Sequence, residues 1–521
     1  MAYTTIERGK RGSDKLDLRH IWENAAARDP HGMALIEPDA RYTYQEIDNE
    51  SQHLAASFQI MGIKAQDRVA ILLKNRKEAI VSLWATQKIG AIFVPLNYHL
   101  SPADVGHCLR DAEPRAVIYE KLPFFDIKSL SADRSPLVIA RDDSWADISY
   151  HELVSISKDG DPINPHAISE KDTAVILYTS GTTGRPKGVP RSHQNVLAGA
   201  LAHIAQNRYS RYECLMGTMP LYHTMGLHAL VAVTMLNGRY VISPEFNADL
   251  SLAQIAREKV DALYMIPTMY HALLRAYAQG MDVSSVHKLG YAGAAMSEEL
   301  IQECLEIFGP HLYLFGNHYG STEIYTHTVH DILSGKPGCA GKPGPDRHIK
   351  LVNLSHPQEK LGAGEIGEIW VQTSPEAFQG YWQRPDLTEA VLQDGWYHTG
   401  DLGYVDQEED LFVVGRVDEM IISGGEHIIP AQVEDVLIRH PKVLEAAVTG
   451  EPDARWGQIV VAYIVPAKAG LTAQELDSFC KTEPDLALLA RPRKYQFVRR
   501  IPKTPVGKVL RRELQNLEGI V

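Results

Sequence analysis

Cysteine is scarce and unpatterned in this 521-residue chain: Cys108, Cys214, Cys304, Cys339 and Cys480 are odd in number and scattered, with no Cys-x-x-Cys pair. That usage argues against a disulfide framework and fits reduced thiols and a cytoplasmic location. The 22 histidines contain no His-Glu-x-x-His and no paired Cys/His spacing, so a zinc site of the usual kinds is not expected. No stretch reaches the about 18 uninterrupted apolar residues of a membrane span. The best candidate, residues 80–96, is broken by Gln87 and Lys88 and reads as a buried helix running into a strand. The N-terminal segment lacks the apolar core of a signal peptide. Positive charge is also in deficit. Lys plus Arg number 52 against 65 Asp plus Glu, a net charge of −13, which argues against a protein built to grip nucleic acid. No internal repeat or low-complexity tract is present.

What is present is ordinary globular material: 45% apolar and 22% charged residues. At roughly 150 residues per domain, the length suggests about three to four domains or subdomains. Up to about residue 170, short apolar strands alternate with helices. Helices are expected over 54–61 and 78–89, and strands over 67–73, 91–95, 115–119, 136–140 and 174–178. Strands at 240–242, 262–266 and 288–292 continue the rhythm, which suggests parallel sheets covered on both faces. After about residue 336 Gly and Pro become dense and strands such as 365–371 alternate apolar with polar, as in a β-rich subdomain. From about Arg416 a third texture begins. Helices over 430–439, 473–480 and 509–514 and strands over 444–449, 458–465 and 494–498 suggest a compact α+β unit. The expected boundary lies within 415–418.

The strongest local signal is the run from Thr173 to Gly188. A buried strand enters a loop of Thr179, Ser180, Gly181, Thr182, Thr183 and Gly184, followed by Arg185, Pro186 and Lys187. Glycines let backbone approach phosphate oxygens, hydroxyls donate to them and lysine neutralises charge. Ser192 is then a plausible N-cap for a helix through Ala205. The loop is not a Walker A loop: Lys187 follows Pro186 and precedes Gly188, and Lys508 is followed by Val509.

The segment 179–188 resembles the signature of the AMP-forming adenylate-forming superfamily, which includes acyl-CoA synthetases, luciferases and peptide-synthetase adenylation domains. Five further motifs follow in the family's order: Pro220-Leu-Tyr-His223, Tyr319-Gly-Ser-Thr-Glu323, Tyr397-His-Thr-Gly-Asp401, the run 415–426, and Pro502-Lys-Thr-Pro-Val-Gly-Lys508. Together they span the chain from about residue 20 to its end. The stretches 421–426, 455–458 and 508–512 resemble in particular the aryl- and acyl-CoA ligases of the 4-chlorobenzoate–CoA ligase type.

The resemblance implies an α/β fold. Residues 1–417 would form a large N-terminal domain of stacked sheet subdomains, two α/β and one β-rich, and 418–521 a small mobile α+β cap. It implies an ATP-dependent carboxylic acid–CoA ligase using Mg²⁺: the acid and ATP give acyl-AMP and pyrophosphate, then CoA gives the thioester and AMP. By the same resemblance Lys508 bridges the acid and the α-phosphate, Glu323 is the magnesium ligand, and Thr322 contacts the α-phosphate. Asp401 would anchor the ribose with Arg416 beside it. Tyr319, Gly320 and the Gly293-Ala294-Ala295 stretch would flank the nucleotide, although a core aromatic and a small-residue turn are open alternatives. Asp418 would be the hinge, and Ser423, Gly424, Gly425 and Glu426 would line a pantetheine tunnel. Trp456 and Arg491 are candidates to grip CoA, with a packed tryptophan and a surface arginine as the alternatives.

The acyl pocket implied by the family is walled by His223, Thr224, Met225, Tyr264, Ala294, Ala295, His318, Tyr325 and Thr326. His223 is expected to gate and orient the acid, against the alternative of a satisfied core histidine. His318, where an apolar residue is expected, with Tyr325 and Thr326, suggests a ring acid with a polar substituent, because buried polar groups want partners. A short or medium fatty acid, a structural His318, and an adenylation enzyme that loads a separate carrier protein remain open alternatives. A homodimer is allowed and not required, and no nucleic-acid partner is expected. For Lys508→Ala, ATP–pyrophosphate exchange should collapse while thioester formation from supplied acyl-AMP survives; equal loss of both would contradict the role given to Lys508.

Overall fold

Seven strands between residues 68 and 192 pair in the order Ile148–Ser149, Leu137–Ala140, Ala116–Tyr119, Arg68–Leu72, Ile92–Pro95, Thr173–Thr179 and Lys187–Ser192. All pairs are parallel except the last. The computed structural model describes residues 17–121, 127–130, 136–141, 146–158, 161–164, 166–179, 185–345, 347–373, 375–484, 486–503 and 509–517. Among the described residues a second sheet of nine strands is parallel through its centre, and Leu314–Tyr319, Lys288–Ala292, Ala262–Met265 and Cys214–Gly217 are neighbours there. Helices Lys77–Ile89 and Thr224–Met235 are buried almost all round, and both belong to one apolar core that includes strands of both sheets. This accounts for the apolar run 80–96. Its polar interruptions are buried and paired: Gln87 Nε2 donates to Ala174 O and Lys88 Nζ sits 2.7 Å from Asp48 Oδ1.

The β-rich expectation is met by an antiparallel sheet of Ile349–Val352, Gly367–Gln372, Trp396–Val405, Leu392–Gln393 and Leu411–Arg416. It abuts the first sheet closely: Trp382 N donates to Gly188 O at 2.8 Å. A Cβ on Gly188 would lie 2.9 Å from Trp382 Cβ, so the glycine permits this approach. The last hundred residues have their own sheet, built on the long hairpin Val443–Asp453 and Gly457–Pro466. Helices Pro430–Ile438 and Ala473–Thr482 contribute to one core cluster beside it, and Val498, Ile501 and Leu514 to another.

Two expectations are corrected. The helix over 54–61 is the end of a longer one, Tyr44–Ile60, started by a Thr43/Glu46 capping box. The final helix covers only Arg511–Leu514, because Val509 pairs in an antiparallel bridge with Lys503. The expected N-cap at Ser192 is borne out, heading the helix His193–Gln206, and the residues between loop and cap form a strand, Lys187–Ser192, for which no expectation was set. Pro190 is tolerated there because the strand lies at the sheet edge.

Trp84 has no exposed surface, stacks on Trp22 at 4.8 Å, and its indole N–H has no partner. Trp84→Ala should cost about 3–5 kcal/mol, seen as an earlier denaturant transition of the large sheets. Trp84→Phe should cost far less, since no hydrogen bond is lost. Equal shifts for both would mean that the indole is not held by packing alone.

Candidate active site

Strands Lys288–Ala292 and Leu314–Tyr319 run parallel and end side by side, with Ala292 opposite His318. Open α/β sheets present ligand sites at such carboxyl ends. Gly293 follows with φ +87°, and Ala294 and Ala295 lie in the same turn. Tyr319 OH donates to Asp401 Oδ2 at 2.6 Å, and Arg416 Nη1 donates to Asp401 Oδ1 at 2.8 Å. Asp401 and Arg416 are cross-strand partners, which fixes this pair by register. Arg416 Nε also meets Asp418 Oδ1 at 3.1 Å, within the short turn Val417–Glu419. Burial opposes the Arg416 charge, but Asp401 and Asp418 outweigh it and hold its pKa above the usual value. Burial and then Asp401 push the Tyr319 phenol well above its ordinary range, so it is a hydrogen-bond donor at any working pH.

A second row lies along the following loop. Glu323 Oε1 accepts from Tyr381 OH at 2.7 Å, and Lys187 Nζ lies 4.4 Å above the Tyr381 ring. Lys187 is opposite Thr179 across the hairpin that carries the Gly-rich loop. Thr179 Oγ1 is buried with no partner. Residues 180–184, and with them Ser180, Gly181, Thr182, Thr183 and Gly184, lie outside the described residues, as does Lys508. The loop 320–327, with Gly320 and Thr322, is pinned from behind. Arg191 Nη1 donates to Thr322 O and Glu323 O, each at 2.8 Å, and Phe378 N donates to Glu323 O at 2.9 Å. An unsatisfied hydroxyl, an ammonium and a carboxylate that uses one oxygen to accept from Tyr381 suit a magnesium-bound polyphosphate.

Tyr264, His318 and Tyr325, expected on the acyl side, form a buried polar cluster with His203 and Asn207. Tyr325 OH is 2.8 Å from His203 Nδ1 and 3.0 Å from Tyr264 OH. His228 stacks flat on Tyr325 at 4.2 Å. Asn207 Nδ2 donates to His203 O at 2.9 Å, which orients the amide and leaves Asn207 Oδ1 to accept from His318 Nε2 at 3.0 Å. That places the His318 proton on Nε2 and leaves a bare lone pair on Nδ1. His203 Nε2, His228 Nε2, His318 Nδ1 and Thr326 Oγ1 are buried without partners. Burial pushes His318 down to about 3, burial and then Arg191 push His228 to about 3, and His203 falls well below its usual value through burial and then His318. All three rings are therefore neutral near pH 7. His223 caps the helix that begins at Thr224 and continues through Met225; burial and then His99 lower it to about 4.

On the small sheet, Ser423 and Glu426 are paired across a Gly424-Gly425 turn with φ of +60° and +88°. Gly424 N donates to Trp456 O, and a Cβ on Gly424 would lie 3.0 Å from the indole. Trp456 thus joins the hairpin, while the Arg491 guanidinium is taken by Asp477. The sequence reading missed Tyr381, Arg191, Glu376, Arg347, His203, His228 and Asn207. Arg191 lies directly after the Gly-rich loop, and the others carry no local signature.

The profile of the family described as AMP-binding enzyme matches residues 22–382, and that of the AMP-binding enzyme C-terminal domain matches 432–508. A feruloyl-CoA synthase of Amycolatopsis sp. is 32% identical over 507 residues, covering 96% of this chain and 98% of its own. An indoleacetate–CoA ligase of Aromatoleum aromaticum is 31% identical over 514 residues, with coverage of 96% and 98%. The o-succinylbenzoate CoA synthetase of Bacillus subtilis, solved with its acyl-adenylate intermediate, is 30% identical with a TM-score of 0.84, covering 96% of this chain and 99% of its own. The same enzyme with ATP and magnesium gives a TM-score of 0.83 at 30% identity, with 95% and 99% coverage.

The buried histidines set an acid limit. Each holds fewer protons folded than unfolded between its lowered pKa and about 6.5, so acid favours the unfolded chain in that interval. Stability should be flat above pH 6.5 and fall as pH drops through 6.5 toward 4, the value to which His223 and His193 are lowered. Melting temperature against pH checks this; a fall beginning above pH 7 would contradict neutral burial.

Proposed function

The chain belongs to the AMP-binding enzyme family, and from that premise we propose that it is an ATP-dependent carboxylic acid–CoA ligase acting, in the cytoplasm, on an aromatic or cyclic acid with a polar substituent. The observation that carries this reading is the economy of the stretch 319–326. Within eight residues it bonds Asp401 through Tyr319, presents Glu323 beside Tyr381 and Lys187, and supplies Tyr325 to the buried polar cluster. Nucleotide, phosphate and acid are thereby assigned to one short segment.

In the first half-reaction a carboxylate oxygen of the acid bonds to the α-phosphorus of ATP as the bond to pyrophosphate breaks. Most of the catalysis available is positioning and charge neutralisation. Asp401 has two carboxylate oxygens for the ribose hydroxyls, and Arg416 holds it in place. Lys187, Thr322 and the loop hydroxyls receive the phosphates, and Lys508 neutralises charge between acid and α-phosphate. Glu323 would hold magnesium, which when bound would supply charge neutralisation at the phosphates. His223, neutral and at a helix start, orients the carboxylate sterically and is not a general base. In the second half-reaction the CoA thiol attacks the acyl carbon and AMP leaves. The Gly424-Gly425 turn allows a close approach for the pantetheine arm, with Trp456 against it, and rotation about Asp418 would exchange Lys508 for this face.

The polar wall supports the choice of acid. Leaving several buried polar atoms without partners costs about 1–3 kcal/mol each, which a substrate hydroxyl, oxo or carboxyl group would relieve. Paired ring acids with and without such a group, assayed with ATP, Mg²⁺ and CoA for AMP and thioester, should differ in kcat/KM by about tenfold or more in favour of the substituted acid. Equal efficiencies would sink the substrate proposal. AMP release that needs a carrier protein in place of CoA would reassign the acceptor.

A further inference from the structure

Behind the active-site loop lies a charge cluster with almost no solvent contact. The side chains of Arg191 and Glu376 are fully buried and that of Arg347 is 2% exposed. Arg191 Nη1 takes the carbonyls of Thr322 and Glu323, and Nη2 donates to the carbonyl of Glu376 at 2.9 Å. The Glu376 carboxylate accepts from Thr326 N at 3.1 Å and from Arg347, while Arg347 Nε donates to Thr326 O at 3.2 Å. The three side chains therefore hold both ends of 322–326. One end carries Glu323, the other the acyl-wall residues Tyr325 and Thr326. Two guanidiniums face one carboxylate in the cluster. The Glu323 side chain, 7% exposed on the same loop, is the second anion: its charge counters the burial that draws Arg191 down to about 10.

None of these three residues faces the reacting atoms. A buried charged cluster is a poor stabiliser compared with packed apolar side chains, since desolvation offsets most of the attraction. What it does supply is direction. A planar guanidinium with donors in a fixed fork sets the angle between carbonyls that a point charge cannot. Successive carbonyls held on one fork fix the peptide plane between Thr322 and Glu323, and with it the direction in which the Glu323 carboxylate leaves the backbone.

We propose that Arg191 is a positioning residue for acyl-adenylate formation, and that through Glu376 and Arg347 it yokes the magnesium-side carboxylate of Glu323 to the acid-binding wall at Tyr325 and Thr326. The inference rests on the ligase reading above and extends it to residues outside the reacting shell. It assigns the two ends different duties. Loosening the Arg191 end impairs metal and phosphate handling; loosening the Glu376 end impairs the grip on the acid.

The test compares purified wild type, Arg191→Lys, Arg191→Gln and Glu376→Gln in separate half-reactions. Lysine retains the charge but not the fork. Glutamine retains two amide hydrogens without burying a charge and guards against a variant that fails to fold. Glu376→Gln keeps the backbone carbonyl that Arg191 uses. Both Arg191 variants should lower ATP–pyrophosphate exchange about 10- to 100-fold and raise the half-saturating Mg²⁺ about tenfold. Thioester formation from supplied acyl-AMP and CoA should stay within about threefold of wild type, because Glu323 has no part in that step. Glu376→Gln should raise KM for the acid several-fold with little change in the Mg²⁺ midpoint. The inference is overturned if an Arg191 variant exchanges with wild-type Mg²⁺ dependence, if both half-reactions fall equally, or if neither Arg191 variant folds, which marks a structural role only. Wild-type protein that exchanges with no acid would instead remove the ligase reading.

Discussion

A guanidinium sealed from water is the constraint on which the rest of this active site depends. Arg191 is fully buried, and its partners are mostly backbone carbonyls belonging to two separate segments, 322–323 and 376. A charge placed there needs every available acceptor, so the two segments cannot drift apart without stranding it. The seven-stranded sheet contributes Arg191, the loop after a strand of the nine-stranded sheet contributes the carbonyls, and a connection between strands of the antiparallel sheet contributes Glu376 and Phe378. Three structural layers meet on one side chain.

From that junction the site spreads in two directions. In one direction, Tyr319, Asp401 and Arg416 form a chain of charge-assisted hydrogen bonds fixed by strand register. In the other direction, Tyr325, Tyr264 and the histidines at 203, 228 and 318 make a wall that is polar yet uncharged. Neutrality follows from burial: an imidazolium there would lack water and would have another imidazole beside it. A wall of that kind can discriminate by hydrogen-bond donors and acceptors and not by charge.

Legibility in the sequence followed the range of the interaction. The alternating strands and helices of the two large sheets were readable because hydrophobic period is local; Arg68–Leu72, Lys77–Ile89 and Ile92–Pro95 fall where the pattern puts them. The residues implied by motif resemblance, such as Glu323, Asp401, Arg416 and the 423–426 turn, were nameable because each motif is contiguous. The strand Lys187–Ser192 carries no local strand pattern, and Pro190 is acceptable in it because it lies at the sheet edge. The final helix was overdrawn because Val509 is drawn into a bridge with Lys503. Tyr381 and Glu376 carried no local signature at all, and their meaning comes from what they touch.

The sequence by itself therefore determined the class of fold, the motif-bearing segments and the family, since these depend on periodicity and on contiguous residues. The tertiary structure decided which side chains meet. It put the Arg191 fork behind Glu323 from 132 positions away, set Tyr381 between that carboxylate and Lys187, and gathered His203, His228 and His318 into one neutral cluster. The physical reason is that desolvation belongs to a place and not to a residue. An arginine or histidine reads the same in a sequence whether water or a sheet surrounds it, and only packing chooses its partners and its charge.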